Sequence, residues 1–305
     1  MKGFTAQDVP DQSGRTALVT GANTGIGFEA ALVLAGKGAR VLLGCRSRNK
    51  AEAARDKIVA EHSGADVGII DLDQADLASV RAAADAVSRE QRLDLLVNNA
   101  GIMIPPFGTT KDGFESQFGV NHIGVFALTG LLLDKLEETP GARVINTSSN
   151  MHKVGTIDFD NLNAEKGYNA TAQYAMSKLA NLLHVHELDR RLKAAGRKTL
   201  AVAAHPGGSD TELMRHMGAM TRKYLMPIGR LLINSAAAGA WPTLMAATLP
   251  DVDGGSYFGP RGLMELAGPA VKVKANKRSL DPELAKRFWD VSVELSGVDP
   301  GLPAA

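Results

Sequence analysis

The sequence of 305 residues is poor in several features that would point to particular functions. It contains one cysteine, Cys45, so no disulfide can form within the chain, and its place at the end of an apolar run predicts a buried, unreactive thiol. Neither sign of charge dominates, because 34 Lys and Arg balance 33 Asp and Glu. This balance gives no indication of a basic surface for nucleic acid, nor of an acidic tail. The expected partners are small molecules and further copies of the chain.

Long hydrophobic runs are also missing. No uninterrupted apolar stretch approaches the roughly 18 residues that span a bilayer, and the N-terminal stretch "MKGFTAQDVPDQSGR" has no apolar signal core. No linker rich in Pro, Gly and Ser divides the chain. We therefore expect a cytoplasmic protein without a membrane anchor, folded as a single domain over residues 1–305.

Short apolar runs alternate with helical stretches along most of the chain. Runs such as "TALVT", "RVLLGC" and "RVINTS" are continuously apolar, as in parallel strands that are buried on both faces. The longest helical stretches are about Gly113–Glu137 and Thr171–Ala195. The pattern predicts an α/β fold: one Rossmann-type doubly wound parallel sheet with helices on both faces. The pattern loosens at about 209–233, which is expected to form a small helical lid over the substrate.

Three glycines, Gly21, Gly25 and Gly27, lie between the first predicted strand and the first predicted helix. In doubly wound sheets ligands bind beyond the carboxyl ends of the strands, where such a turn brings backbone N–H groups and a helix N-terminus to a pyrophosphate. The spacing is neither G-x-G-x-x-G nor G-x-x-x-x-G-K-[ST]. Taken alone, the turn therefore leaves a packing role for the glycines open.

Three further stretches help to decide between a packing role and a dinucleotide-binding role for the glycine turn. "NNAG" at 98–101 ends one predicted strand, "NTSSN" places Ser148 and Ser149 at the end of another, and Tyr174 and Lys178 lie four apart on one helix face. With T-G-x-x-x-G-x-G, N-N-A-G and Y-x-x-x-K in this order, the chain resembles the short-chain dehydrogenase/reductases over about Thr16–Gly259. It is most similar to their retinol dehydrogenase-like branch, through "GANTGIG", "GCRSR", "NHIGVFALT", "SKLAN", "HPGG" and "RFWDVSVELSG".

The resemblance implies an NADP-dependent oxidoreductase that interconverts an alcohol and a carbonyl on a small apolar substrate by hydride transfer. It makes Tyr174 the general acid/base, and Lys178 the cation that lowers the pKa of the tyrosine and binds the nicotinamide ribose. Ser149 corresponds to the substrate-orienting hydroxyl, with Ser148 as the competing serine. Asn121 corresponds to the family asparagine that holds a water in the proton relay, the alternative being a kink or cap within its helix.

The end of the second strand bears on cofactor choice, because Arg46 follows Cys45 there. An acid would repel a 2′-phosphate and a guanidinium binds one through paired hydrogen bonds, so NADP is favoured over NAD. An ordinary surface arginine is the alternative, and whether Arg48 adds a second cation is left open. With the contacts that the resemblance implies, the predicted cofactor set is Gly21, Asn23, Thr24, Gly25, Ile26, Gly27, Arg46, Asp71, Leu72, Asn98, Ala100, Gly101, Tyr174, Lys178, Pro206, Gly207 and Thr211.

The histidines and methionines offer further candidates. His184 and His186 diverge by roughly 200° on their helix, so no metal site is predicted. His205 is expected to pack at a strand end. The methionines of the predicted lid would adapt to an apolar substrate, although plain packing explains them as well; they are Met214, Met217, Met220 and Met226.

Two questions concern assembly and competing functions. The family commonly pairs its two long helices across a two-fold axis, which predicts a homodimer or homotetramer. The glycine spacing argues against the branch that acts on nucleotide sugars. A catalytically silent dinucleotide-binding regulatory or scaffold protein is the alternative function.

Overall fold

The computed structural model describes residues 3–208 and 234–304, which contain one central sheet of eight strands. These are β1 (Thr16–Thr20), β2 (Arg40–Cys45), β3 (Val67–Asp71), β4 (Leu95–Asn98), β5 (Arg143–Thr147), β6 (Leu200–Ala204), β7 (Tyr257–Pro260) and β8 (Ala270–Val273). The strand order across the sheet is β3-β2-β1-β4-β5-β6-β7-β8. Neighbours pair in parallel from β3 to β7, and β8 is antiparallel to β7.

Helices cover both faces of the sheet. They are α1 (Gly25–Gly36), α2 (Arg48–Glu61), α3 (Leu77–Ser88), α4 (Ser116–Phe118), α5 (Gly124–Glu137), α6 (Ala170–Ala194), α7 (Ala236–Thr248) and α8 (Pro282–Ser296). One apolar core lies under α1, α2 and α7, and a second lies under α3, α5, α6 and α8. This arrangement confirms the predicted doubly wound α/β fold.

The continuous apolar runs form the centre of the sheet because both of their faces are covered. Every residue of β1 and β4 is buried, and so is β5 after its first residue. β1 lies between β2 and β4 in the sheet. The connection from β1 to β2 therefore runs over one face of the sheet, and the connection from β3 to β4 runs over the other. In doubly wound folds the ligand-binding crevice lies at such a switch point, which here is at the carboxyl ends of β1 and β4.

The long helix that precedes β5 is not regular. A π-helical segment, Gly119–Ile123, joins α4 to α5. By length and composition Ser116–Glu137 is apolar enough to cross a membrane, but 78% of its apolar window is buried inside the fold. That burial is expected of a core helix. The π segment carries Asn121 and lies beside the crevice.

The C-terminal helix α8 packs across α5 and α6. The Trp289 ring lies 5.0 Å from the Phe126 ring of α5 and 4.7 Å from the Arg191 guanidinium of α6. His122 Nε2 lies 2.8 Å from Ser292 Oγ of α8. The helix α8 thus covers part of α5 and α6, and the predicted pairing of these helices in a homo-oligomer stays a prediction.

Buried histidines make the fold sensitive to acid. His184 packs against Phe126 and Trp289 and bonds the Asn146 amide at 3.1 Å, and burial lowers its pKa from 6.5 to about 3. Burial is also the main reason that the pKa of His152 falls from 6.5 to about 4. Both side chains are therefore neutral in the folded protein at neutral pH.

We predict that the free energy of unfolding decreases as the pH falls below 6.5. In this range the unfolded chain binds protons at His152 and His184 while the folded chain does not, so acid favours unfolding by about 1.4 kcal/mol per pH unit for each group. Denaturant titrations at about pH 7, 6 and 5 measure the slope. His184→Gln should make it shallower by about one histidine's share, and an unchanged slope would contradict the account.

Candidate active site

The glycine turn fits closely against its neighbours. Gly21 and Gly25 have φ angles of +67° and +60°, which favour glycine. A Cβ on Gly27 would lie 2.4 Å from Asn99 Nδ2 and 2.7 Å from Gly21 O. A side chain at position 27 would therefore push α1 away from Gly21 and Asn99. Thr24 precedes α1 in an extended conformation. The first-turn N–H groups of α1 are thus presented at the crevice, as an anion site requires.

The turn after β4 is fastened directly to the end of β1. Thr20 Oγ1 accepts hydrogen bonds from the backbone N–H groups of Asn99 (3.0 Å) and Ala100 (2.9 Å), and Asn99 Nδ2 donates to Thr20 O at 2.9 Å. The predicted contact Asn98 lies deeper, because its buried amide donates to Thr129 Oγ1 and Asn146 Oδ1. The glycine turn and the turn after β4 therefore form one unit.

Tyr174 and Lys178 lie together on α6, and both are buried. Lys178 Nζ is 5.5 Å from the centroid of the Tyr174 ring and donates to Thr147 O, at the end of β5, at 3.2 Å. A Cβ on Gly101 would lie 3.5 Å from the same Nζ atom. The structure thus brings the predicted Tyr and Lys to the turn after β4.

The two serines after β5 have different surroundings. Ser148 Oγ donates to Lys178 O at 2.8 Å, which ties the strand end to α6. Ser149 is buried in an extended conformation, and its Oγ accepts a 3.3 Å bond from Met151 N at the start of a 3-10 turn, Asn150–Lys153. Ser148 is thus bonded to α6, and the substrate-orienting role of Ser149 stays a prediction.

Asn121 lies fully buried in the π-helical segment and connects two parts of the site. Its Oδ1 accepts from Ile102 N at 2.8 Å, and its Nδ2 donates to Ile102 O at 2.9 Å and to Ser177 Oγ at 3.0 Å. These bonds hold the chain after Gly101 against α6. The water-holding role stays a prediction, beside this observed positioning role.

The two arginines after β2 differ in their partners. Arg48 pairs with Glu52 at 3.2 Å and with the exposed predicted contact Asp71 at 3.4 Å. Arg46 is exposed, and its side chain makes no hydrogen bond or ion pair to any other residue that the structure describes. Arg46 is therefore the better placed of the two to meet an added anion.

Cys45 and Leu72 are buried at the carboxyl ends of β2 and β3, next to the two arginines. Burial raises the pKa of the Cys45 thiol to about 11, although the backbone N–H groups of Ala22 and Asn23 bond to it. Leu72 is buried and donates its N–H to Cys45 O at 3.1 Å. The thiol is buried as predicted, and it lies beneath the glycine turn.

The far side of the site is built after β6. Gly207 has a φ of +80°, and a Cβ there would lie 2.4 Å from Leu266 O. Asn234 Nδ2 donates a 3.2 Å hydrogen bond to the carbonyl oxygen of Pro206. Thr211 and the predicted lid at 209–233 lie outside the described residues.

Sequence reasoning missed two polar residues of this region. The first is Glu265, whose Oε2 lies 3.0 Å from Nε2 of the buried His205; burial lowers the pKa of that histidine. The second is Gln117, which is fully buried and accepts a hydrogen bond from Ile104 N. Neither belongs to a repeating pattern, because each contacts residues distant in sequence. Among residues 3–208 and 234–304, no group of three or more His, Cys, Asp and Glu side chains could hold a metal ion.

Comparison with known sequences places the chain in a family. The model of the short chain dehydrogenase family matches residues 15–222. Human retinol dehydrogenase 13 is 45% identical over 295 residues, which cover 94% of this chain and 86% of that protein. Retinol dehydrogenase 11 from Mus musculus is 42% identical over 288 residues, covering 93% of this chain and 87% of the relative.

Solved structures agree with this assignment. An uncharacterized protein from Mycobacterium Paratuberculosis superposes with a TM-score of 0.81 at 41% identity, covering 97% of this chain and 98% of its own. A short chain dehydrogenase from Burkholderia cenocepacia J2315 in complex with NADP gives a TM-score of 0.61 at 26% identity, with 80% and 95% covered. The chain therefore belongs to the retinol dehydrogenase-like short-chain dehydrogenases, which makes it an NAD(P)-dependent enzyme that interconverts alcohols and carbonyls.

Proposed function

We propose that the protein is an NADP-dependent carbonyl reductase or alcohol dehydrogenase of small apolar substrates, with Tyr174 as its general acid/base. The observation that carries the proposal is the burial of Tyr174 and Lys178 together at the end of β5, next to Gly101. If Tyr174 and Lys178 were ordinary residues of an amphipathic helix surface, their side chains would be exposed to solvent, whereas both are buried. A buried phenol beside a buried ammonium is well suited to moving a proton.

The side chains divide the work of carbonyl reduction. A bound nicotinamide dinucleotide supplies the hydride, and the protein supplies position, charge and a proton. Tyr174 gives its proton to the oxygen as negative charge develops there, and the Lys178 ammonium stabilises the phenolate that remains. The Ser149 hydroxyl donates to the same oxygen and orients the carbonyl.

The residues of the crevice fit a dinucleotide. Gly21 and Gly25 adopt left-handed conformations and Gly27 has no room for a side chain, so the backbone itself faces the crevice. The start of α1 suits a pyrophosphate, and the turn at Ala100 and Gly101 leads to Lys178. These features support a dinucleotide laid across the carboxyl ends of β1 and β4.

NADP is the cofactor that the charges favour. Arg46 lies at the end of β2 without a described partner, while Arg48 is already paired with Glu52 and Asp71. A guanidinium binds a 2′-phosphate through charge-assisted hydrogen bonds. The NADP complex of the Burkholderia relative supports the same choice.

The chain that follows Gly101 supports an apolar substrate. It presents "IMIPPFG", in which Phe107 is 56% exposed. Relatives that act on retinol, by their names, are consistent with an apolar alcohol or carbonyl. We therefore propose a hydrophobic aldehyde or ketone, or the matching alcohol, as the substrate class.

Tyr174→Phe tests the chemical role. The variant should retain NADPH binding, with a change in affinity of less than about tenfold. Its kcat/KM for an apolar aldehyde should fall by a factor of about 10²–10⁴, because the general acid is lost. Tyr257→Phe, which removes the hydroxyl of another buried tyrosine, serves as the control and should retain most turnover. Wild-type protein that binds NADPH but reduces no aldehyde would favour a catalytically silent binding protein.

Arg46→Ala tests the cofactor preference. Loss of hydrogen bonds to a charged phosphate should weaken NADPH binding about ten- to hundredfold and leave NADH nearly unchanged. Arg48→Ala is the matched control and should have the smaller effect, since its guanidinium already pairs with two acids. Calorimetric titration with both cofactors measures this, and equal losses for NADPH and NADH would assign Arg46 to structure instead.

A further inference from the structure

The residues that follow Gly101 form an apolar segment beside the proposed reaction centre. We call residues 102–107 the post-turn segment. It begins next to Gly101, where a Cβ would lie 3.1 Å from Asn121 Oδ1 and 3.5 Å from Lys178 Nζ. Its side chains are all apolar, and its last residue, Phe107, is 56% exposed. The shape of this segment therefore bears on which substrate reaches Tyr174.

One residue of the post-turn segment has a costly backbone conformation. Ile104 has a φ of +50°, in the left-handed region that a β-branched residue rarely adopts. Such a conformation persists only where surrounding contacts impose it, and it is concentrated at ligand-binding sites. Pro105 follows directly, so the strained residue has a stiff neighbour. Something outside the segment must hold Ile104 in place.

Gln117 provides that contact. It is fully buried in α4, and its Oε1 accepts a hydrogen bond from Ile104 N at 2.8 Å. Its Nε2 donates to Ala170 O, at the start of α6, at 2.9 Å and to Tyr168 Oη at 3.3 Å. The partners define the orientation of the amide, because the oxygen meets a donor and the nitrogen meets a carbonyl.

Tyr168 strengthens the same connection. Its hydroxyl donates to Pro105 O at 2.7 Å while it accepts from Gln117, and its ring lies 5.3 Å from the Phe107 ring. The post-turn segment is thus held at Ile104, at Pro105 and at Phe107 from one side. Asn121 holds its first residue separately, through both backbone groups of Ile102.

We infer that Gln117 is a positioning residue that fixes the post-turn segment in its strained shape and so sets the affinity for the apolar part of the substrate. The inference rests on the proposed function, because it takes this segment as part of the substrate site. Gln117 links the segment to the start of α6, the helix that carries Tyr174. Since Asn121 keeps Ile102 in place independently, loss of Gln117 affects substrate binding and leaves the proton transfer itself intact.

Gln117→Met tests the inference, because methionine fills a similar volume without the amide. We expect the KM for a series of apolar aldehydes to rise about tenfold, with kcat and the KM for NADPH nearly unchanged. Gln173→Met is the matched control: Gln173 is buried too, but its amide donates its hydrogen bond to Leu162 O and not to a residue of the post-turn segment. Its KM values should equal those of the wild type.

Glycine at position 104 separates positioning from plain structure. In an Ile104→Gly background the left-handed conformation carries no steric cost, so Gln117→Met should raise KM by less than about threefold relative to that background. An equal rise in both backgrounds, or a loss of kcat at unchanged KM, would overturn the inference. If Gln117→Met does not fold, Tyr168→Phe removes only the bond to Pro105 and the contact with Gln117, and it should raise the same KM about threefold.

Amide hydrogen exchange of the peptide 102–108 gives a readout that needs no turnover. The Ile104 amide should exchange at least about tenfold faster in Gln117→Met than in the wild type, because its acceptor is gone. Unchanged exchange would overturn the inference even if the enzyme is active. If the wild type reduces no aldehyde and yet Ile104 exchanges faster in Gln117→Met than in the wild type, the proposed function is refuted. The positioning of the segment by Gln117 then still stands.

Discussion

The hydrogen bonds between Thr20 and the turn after β4 are the contact on which the site depends. One hydroxyl accepts two backbone N–H groups, and the Asn99 amide returns a bond to Thr20 O. The approach is possible because Gly27 carries no side chain where Asn99 lies. The ends of β1 and β4 are therefore tied together at the crevice by backbone and side-chain hydrogen bonds.

The second fixed element is α6, which is buried along most of its length. Lys178 and Asn181 both donate to Thr147 O, at 3.2 and 3.0 Å, and Ser148 bonds Lys178 O. The helix is thus attached to the end of β5 by three hydrogen bonds, with α8 behind it. Groups that must meet a substrate within a fraction of an ångström are better placed on such elements than on loops.

Much of this arrangement can be predicted from the sequence, because its signals are local. The runs 16–20 and 40–45 coincide with β1 and β2, since a strand buried on both faces is apolar throughout. The strands β7 and β8 were not predicted, because they carry Pro260 and Lys272 and so are not continuously apolar. Tyr174 and Lys178 lie together because helical spacing alone puts them on one face.

Other parts depend on contacts between residues far apart in the chain. Gln117 bonds residues 13 and 53 positions away, and the strain at Ile104 has no counterpart in composition or periodicity. The packing of α8 across α5 and α6 likewise follows from tertiary contacts. The cytoplasmic location and the homo-oligomer remain predictions, and the predicted lid lies outside the described residues.

The central claim is that the Tyr174 and Lys178 site transfers hydride between a nicotinamide cofactor and an apolar carbonyl. Its most direct test is reduction of an apolar aldehyde with NADPH that carries deuterium at both C4 positions of the nicotinamide, followed by mass spectrometry of the alcohol. The account predicts one deuterium per molecule of alcohol with wild-type enzyme, and almost no alcohol with Tyr174→Phe. Oxidation of the cofactor without deuterium in the alcohol, or equal yields from both proteins, would contradict it.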